Sequence, residues 1–194
     1  MKTCSTPGCK NLAAYRTRSK PAYCLECIDR IMDEAGLVRL EPFSDPRDWM
    51  LTRCKKCGAE AHYRFEYILH KQEIGESVCR ACYWKQWYRD SWTKYGVGQG
   101  VKGKIPESVL LDVIDACGYE LLNVIPGDRR GEELYRVCCC SCGRISVERL
   151  GDILWGCTCS KATRQQRELC WKKLDKYVSP EWGGGDLLSG FGVS

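Results

Sequence analysis

Residues 54–82 read CKKCGAEAHYRFEYILHKQEIGESVCRAC, two Cys-x2-Cys pairs with Gly58 directly after the first and the stretch 58–78 between them. Two thiols on one tight turn aim easily at a common point, and two such turns supply the four ligands of a tetrahedral zinc site. Outward from this stretch the pattern recurs. Upstream stand Cys4 and Cys9, then Cys24 and Cys27; downstream stand Cys139 and Cys142, then Cys157 and Cys159. The intervening stretches, 10–23 and 143–156, are equal in length and short enough to close around one ion. The twelve cysteines Cys4, Cys9, Cys24, Cys27, Cys54, Cys57, Cys79, Cys82, Cys139, Cys142, Cys157 and Cys159 thus predict three structural zinc ions. The first site departs by its Cys-x4-Cys, turned by Pro7-Gly8, and the third by its Cys-x-Cys. At the third, Cys138 and Cys140 flank Cys139, so the ligand choice there stays open among the three.

The chain has 194 residues, 16 of them cysteine, with 44% hydrophobic residues and two histidines, His62 and His70. Cysteine at that density marks a chain held by cross-links or metals rather than by a large core. No apolar stretch reaches the roughly 18 residues of a membrane span, and Met1 to Lys10 lacks an apolar signal region. A soluble protein of the reducing cytoplasm, without a membrane partner, is the expectation, and there cysteines in bulk serve metals more often than disulfides.

An internal repeat strengthens the reading. Gly36-Leu-Val-Arg-Leu-Glu-Pro leads to Cys54-x2-Cys57-Gly58, and Gly118-Tyr-Glu-Leu-Leu-Asn-Val-Ile-Pro leads to Cys139-x2-Cys142-Gly143; beyond the knuckles Arg64 matches Arg149 and Ile68 matches Ile153. Before each knuckle, β-branched and aromatic residues predict strands, with a hairpin broken at Pro126-Gly127; after it a second strand pair is expected over His62 to Phe65 and at Ile145 and Val147. Long runs without Gly or Pro predict helices over Arg80 to Tyr95 and Ser160 to Val178, and Ile28 to Ala35 with Gly36 as its stop predicts another. Knuckle, hairpin and a helix holding the last ligands in its first turn is the treble-clef arrangement. The expected fold class is therefore a small zinc-stabilised α+β chain of three tandem treble-clef or zinc-ribbon-like modules. Its segments are an N-terminal module over 1–36, a second over 37–96, a Gly-rich hinge and acidic amphipathic helix over 97–117, a third module with a basic helix over 118–178, and a flexible tail over 179–194.

With its Leu-Glu-Pro-Phe, its Trp49 before the knuckle, its Cys-x2-Cys-Gly and its closing Cys-x2-Cys, Gly36 to Cys82 resembles the tandem treble-clef zinc-finger proteins of bacteria and their phages. Tyr135 to Cys159, with Arg149-Leu-Gly-Asp-Ile and Gly156-Cys157, resembles them too. The resemblance implies a bacterial or phage-infected cell, an association with restriction-endonuclease-like systems, and DNA binding.

Charge qualifies that implication. A zinc with four thiolates carries −2, so three sites convert the formal +5 to about −1. What remains is distribution: residues 48–104 and 129–176 each hold eleven Lys/Arg against six Asp/Glu, while 105–128 holds five acids and no Lys/Arg. Two basic modules around an acidic helix suit a phosphate backbone touched twice. Candidate contacts are Lys161, Arg164, Arg167, Lys172, Lys173 and Lys176 on the last helix, Arg129 and Arg130 at a hairpin tip, and Lys55 and Lys56 in the second knuckle. Trp84, Tyr88 and Trp92 or Tyr95 fall on one helical face and read as core. Cys117 and Cys170 read as buried small residues.

Two alternatives accompany nucleic-acid binding. An adaptor or inhibitor of a polymerase, nuclease or defence complex would use the acidic helix 106–117 or the C-terminal tail as its protein-binding surface. A zinc nuclease of the endonuclease VII type would place histidines between cysteine pairs, as His62 and His70 are, but neither follows an Asp and Tyr83 stands where that class has Asn. Six complete cysteine pairs also leave no open coordination position, so the chain is read as non-catalytic.

Overall fold

The computed structural model of the chain describes residues 2–95 (side chains to 90), 104–127 and 133–177. Arg129, Arg130, the centre of the hinge and the tail lie outside them. The chain divides into two units, Met1–Tyr83 and Trp84–Ser194.

The first unit opens with a stretch of few regular elements, closed by a bridge between Thr3 and Leu12. Helix α1 (Leu25–Glu34) follows, with Cys24 as its N-cap and Ile28 and Met32 buried along one side. Gly36 turns the chain at φ +73°, a conformation open to glycine, into β1 (Leu37–Arg39). Strand β2 (Met50–Cys54) and β3 (Glu60–Tyr63) complete an antiparallel sheet in the order β1-β2-β3. The strand reading is corrected here: His62 to Phe65 is not all extended. Strand β3 stops at Tyr63 and Phe65 begins helix α2 (Phe65–Glu73), because Phe65 and Ile68, three apart, are both buried and only helical pitch puts them on one side. Tyr23 and Phe43 pack edge-on against Phe65, and Tyr15 against Phe43, with ring centroids 5.7–6.0 Å apart. Buried Thr52 is satisfied by donating to the Ala61 carbonyl. The Tyr63 hydroxyl accepts from the Arg80 backbone N–H, fixing the start of helix α3 (Arg80–Tyr95).

The second unit contains the rest of α3, where Tyr88 is buried and Trp84 and Trp87 pack against it. Helix α4 (Glu107–Ala116), between Pro106 and Gly118, is the acidic amphipathic helix. Strands β4 (Tyr119–Ile125), β5 (Leu134–Cys139) and β6 (Ile145–Glu148) form a sheet in the order β4-β5-β6. A short α5 (Leu150–Ile153), a two-stranded ribbon β7 (Gly156–Cys157) and β8 (Ser160–Lys161), and α6 (Arg164–Leu174) follow. The core gathers Leu110, Val113 and Ile114 from α4, Tyr135 and Val137 from β5, and Cys170 and Leu174 from α6.

The repeat is visible as a shared order, helix, three strands, helix. Helices α1 and α4 correspond position by position, Leu25 with Glu107 and Glu34 with Ala116. The knuckles, Cys54 with Cys139, lie slightly further apart in the chain, and the longer β4 arm absorbs the difference. Leu37 pairs with Cys54 as Tyr119 pairs with Cys139, and Gly36 accepts from the Lys55 N–H as Gly118 accepts from Cys140. With the helices so aligned, Pro106 and Val109 stand where Cys24 and Cys27 stand. The second copy has no thiols there and packs α6 against α4 instead.

One helix differs from the sequence expectation in a way that matters for the site. The last helix begins at Arg164, not Ser160, and holds no cysteine of the third set: Cys157 is on β7 and Cys159 on the turn to β8. A one-residue spacing suits a hairpin turn, and Thr163 then starts the helix with a capping box, its hydroxyl accepting from Gln166 N–H while Gln166 accepts from Thr163 N–H.

Candidate metal centres

Three groups of four cysteines converge: Cys4, Cys9, Cys24 and Cys27; Cys54, Cys57, Cys79 and Cys82; Cys139, Cys142, Cys157 and Cys159, each with all Sγ atoms within 4.8 Å of one another. Cys9 and Cys24 Sγ are 3.8 Å apart, Cys57 and Cys79 3.5 Å, Cys54 and Cys82 3.8 Å, Cys139 and Cys159 3.5 Å, and Cys142 and Cys157 3.8 Å. A disulfide needs about 2.05 Å, whereas four sulfurs each about 2.3 Å from one central ion lie about 3.8 Å apart. The spacing fits tetrahedral coordination of a metal ion in each set.

Local backbone explains the convergence. In the first and second sets the later pair straddles a helix start: Cys24 caps α1 and Cys27 is its third residue, while Cys79 precedes α3 and Cys82 is its third. Gly58 and Gly143, at φ +73° and +70°, close the two knuckles by donating to the Cys54 and Cys139 carbonyls. The question left open at Cys138–Cys140 is answered by strand alternation. On β5, Tyr135, Val137 and Cys139 face inward; Cys138 faces away and donates to the Gly143 carbonyl. Cys140 is exposed, and neither joins the set.

Hydrogen bonds set the charge state. Thiols of Cys79 and Cys82 donating to Cys57 hold it down at about 2 against the effect of burial. Burial pushes the Cys4 thiol up, but the Cys24 N–H and the Thr6 hydroxyl outweigh it and hold Cys4 at about 6. At Cys139 burial is likewise outweighed, by the N–H groups of Cys142 and Ser141, leaving about 7. The Cys57 thiolate, by accepting the Cys82 proton, pushes Cys82 up to about 12. One thiolate per set is thus favoured, while hydrogen bonds to neighbouring sulfurs and burial push Cys9 and Cys27, Cys79 and Cys82, and Cys142 and Cys159 upward. A soft divalent cation at the centre takes the place of the protons they hold.

Cys117 and Cys170 are buried in the second core, Sγ atoms 3.8 Å apart, outside all three sets. His62 lies 3.8 Å from Glu41 and His70 is exposed on α2; neither joins a cysteine set.

The candidate contact residues fare unequally. Lys55 pairs with Asp33, Arg164 with Glu168 at 2.8 Å and Lys173 with Asp112 at 3.2 Å. Arg167 is committed inward, its guanidinium over the Trp155 ring at 4.3 Å and donating to the Ala162 carbonyl. Lys176 lies 5.0 Å over the Tyr177 ring. Lys56, Lys161, Lys172 and Lys176 are exposed without a carboxylate partner among the described residues. The charge count over the two repeats passes over residues 2–25, which carry Lys2, Lys10, Arg16, Arg18 and Lys20 and no Asp or Glu. A window smaller than the repeat would have found them. Among the described residues no helix is long and apolar enough to cross a membrane.

Compared with known protein families, curated proteins and solved structures, the chain matches none.

Proposed function

We propose that the chain is a zinc-scaffolded nucleic-acid-binding protein without hydrolytic chemistry, in which the second set is of treble-clef kind, the first shares its helix-borne closing pair, and the third closes on a β-ribbon. Zinc is the ion the donor set favours, since four thiolates in a tetrahedron select soft or borderline metals over magnesium or calcium. Each ion would be held by a complete set of four sulfurs, with no position left for water to be activated, so its role is structural. DNA is the expected nucleic acid.

The observation that carries the binding reading is the set of exposed lysines at the metal-site turns and along the last helix. Lys56 sits at the tip of the second knuckle, Lys161 in the ribbon of the third set, Lys172 on α6 and Lys176 just past its end, with no acid partner among the described residues. Such point charges serve phosphate contacts without base readout, so affinity that depends on salt and little on sequence is the expected behaviour. Arg164, Arg167 and Lys173 are secondary, since their present partners must be exchanged for phosphate.

The test is a titration with duplex and single-stranded DNA and with RNA at several salt concentrations. A steep fall of affinity with salt that flattens in K161Q/K172Q/K176Q supports the reading; no binding at low salt removes it and leaves the adaptor role of the acidic helix.

A further inference from the structure

The geometry points to a second, independent phosphodiester-binding surface on the first unit, formed by Lys2, Arg16, Arg18, Lys20 and Arg47. This inference rests on the nucleic-acid reading above but places contacts on residues that reading does not use.

Residues 16–20 are Arg-Thr-Arg-Ser-Lys. They form the outer part of a loop whose neck is tied by Ala14 N–H to the Tyr23 carbonyl at 2.8 Å and by Ser5 N–H to the Ala22 carbonyl at 2.7 Å. Within the loop, the Tyr15 hydroxyl donates to the Pro21 carbonyl at 3.3 Å and the Thr17 hydroxyl to that of Lys20. Tyr15 is buried against Phe43, so the loop is anchored from below while its cations stay out. Lys2 is brought alongside, its Nζ donating to the Lys20 carbonyl at 3.4 Å.

The acids facing this group are few. Glu66 is shared, 3.4 Å from Lys20 and 3.6 Å from Arg47, whose side chains are 70% and 76% exposed. Asp45 spends one oxygen on the Arg47 backbone N–H. Arg16 and Arg18 are exposed with no carboxylate partner among the described residues. Asp48, beside Arg47, accepts from the Ser44 hydroxyl, so five cations stand against three carboxylates, a local surplus of two.

The chemistry of the loop selects among polyanions. Cations beside a free hydroxyl, here Ser19, are side chains that contact phosphate oxygens, and a guanidinium fork donates to a phosphate bidentately. A protein partner would call for an apolar or aromatic anchor at the centre of the patch, and a membrane for an apolar side chain to insert; residues 16–20 contain neither. The two cavities beside the first cysteine set are lined by other residues, so the ligand lies across the surface as an extended chain rather than in a pocket.

The experiment uses the full metal-loaded chain, a 20-base-pair duplex and salt from 50 to 300 mM. Each phosphate contact contributes about 0.9 to the slope of log affinity against log salt. The variant R16Q/R18Q/K20Q is expected to lose roughly 2 to 3 from that slope, and at least tenfold in affinity at the lowest salt. Metal content and circular dichroism stay unchanged, since all three side chains are exposed. An unchanged slope overturns the inference. So does tighter binding of the native chain to phosphatidylserine vesicles or to polyglutamate than to duplex. Loss in K161Q/K172Q/K176Q alone sinks this surface and keeps the one on the second unit; loss in the loop variant alone does the reverse; absence of binding by the native chain removes both.

Discussion

At the scale of single residues, the three cysteine sets separate ligands from bystanders more sharply than spacing can. Cys139 belongs to its set because β5 alternates, and Cys138, one residue away, must face outward. Metal analysis should therefore find C139S and C79S each one ion short, while C138S and C140S keep the native complement. Every ligand binds as a thiolate, so acid competes with the metal; lowering pH from 8 toward 4 should release the ions with uptake of protons, and alkaline pH should favour retention. Gly156 makes a second residue-scale case. It sits at φ +74°, and a Cβ there would stand 2.5 Å from the Ala162 nitrogen and 2.8 Å from the Ser160 carbonyl oxygen. Both neighbours are backbone of the ribbon carrying Cys157, so relief requires the ribbon to move. G156A should cost about 1–3 kcal/mol in denaturant unfolding and weaken metal binding at the third set.

At the scale of elements, the two copies show how one sequence plan is stabilised in two ways. Helix α1 is tied down through Cys24 and Cys27, whereas α4 has Pro106 and Val109 at those places and is covered by α6. In the second copy, apolar burial replaces coordination. Leu174 is fully buried at the end of α6, so L174A should destabilise the second unit by about 2–5 kcal/mol. Removing the capping box with T163A should cost about 1 kcal/mol. Thermal unfolding with metal analysis checks both: each should lower the transition temperature, and T163A should leave the metal content intact because α6 carries no ligand.

At the scale of the whole molecule, the units should differ in their dependence on metal. The first holds two cysteine sets, and among the described residues the stretch ahead of α1 has a single β-bridge as its regular structure. The second holds one set beside a cluster of buried residues drawn from α4, β5 and α6. A structural zinc site is associated with about 10–16 kcal/mol of apparent binding energy, more than a core this small supplies. On chelation, hydrogen exchange should rise first at Cys4, Ala14 and Ala22, whose N–H groups are bonded across the first set's loops, and later at Val113 and Leu174. Simultaneous loss of protection would show that the second core also depends on its ion.

Much of this was legible in order along the chain. The cysteine pairs, the repeat and the glycines after α1 and α4 are local features: a Cys-x2-Cys turn, a stop at positive φ and a helix without breakers are decided within a few residues, and the bounds of α3 follow from them. The α2 helix was hidden because its short amphipathic period overlaps a strand-like run of aromatics. The start of α6 was hidden because a Cys-x-Cys ribbon and a capping box compete for the same residues, and only their packing decides. Charge shows the contrast most plainly. Composition counted the cations, but pairing across the fold determined which remain available: Asp112 comes to Lys173 and Asp33 to Lys55 from elements distant in sequence. Backbone chemistry is local and can be read in one dimension; neutralisation of a surface charge depends on what the tertiary structure places within about 4 Å of it.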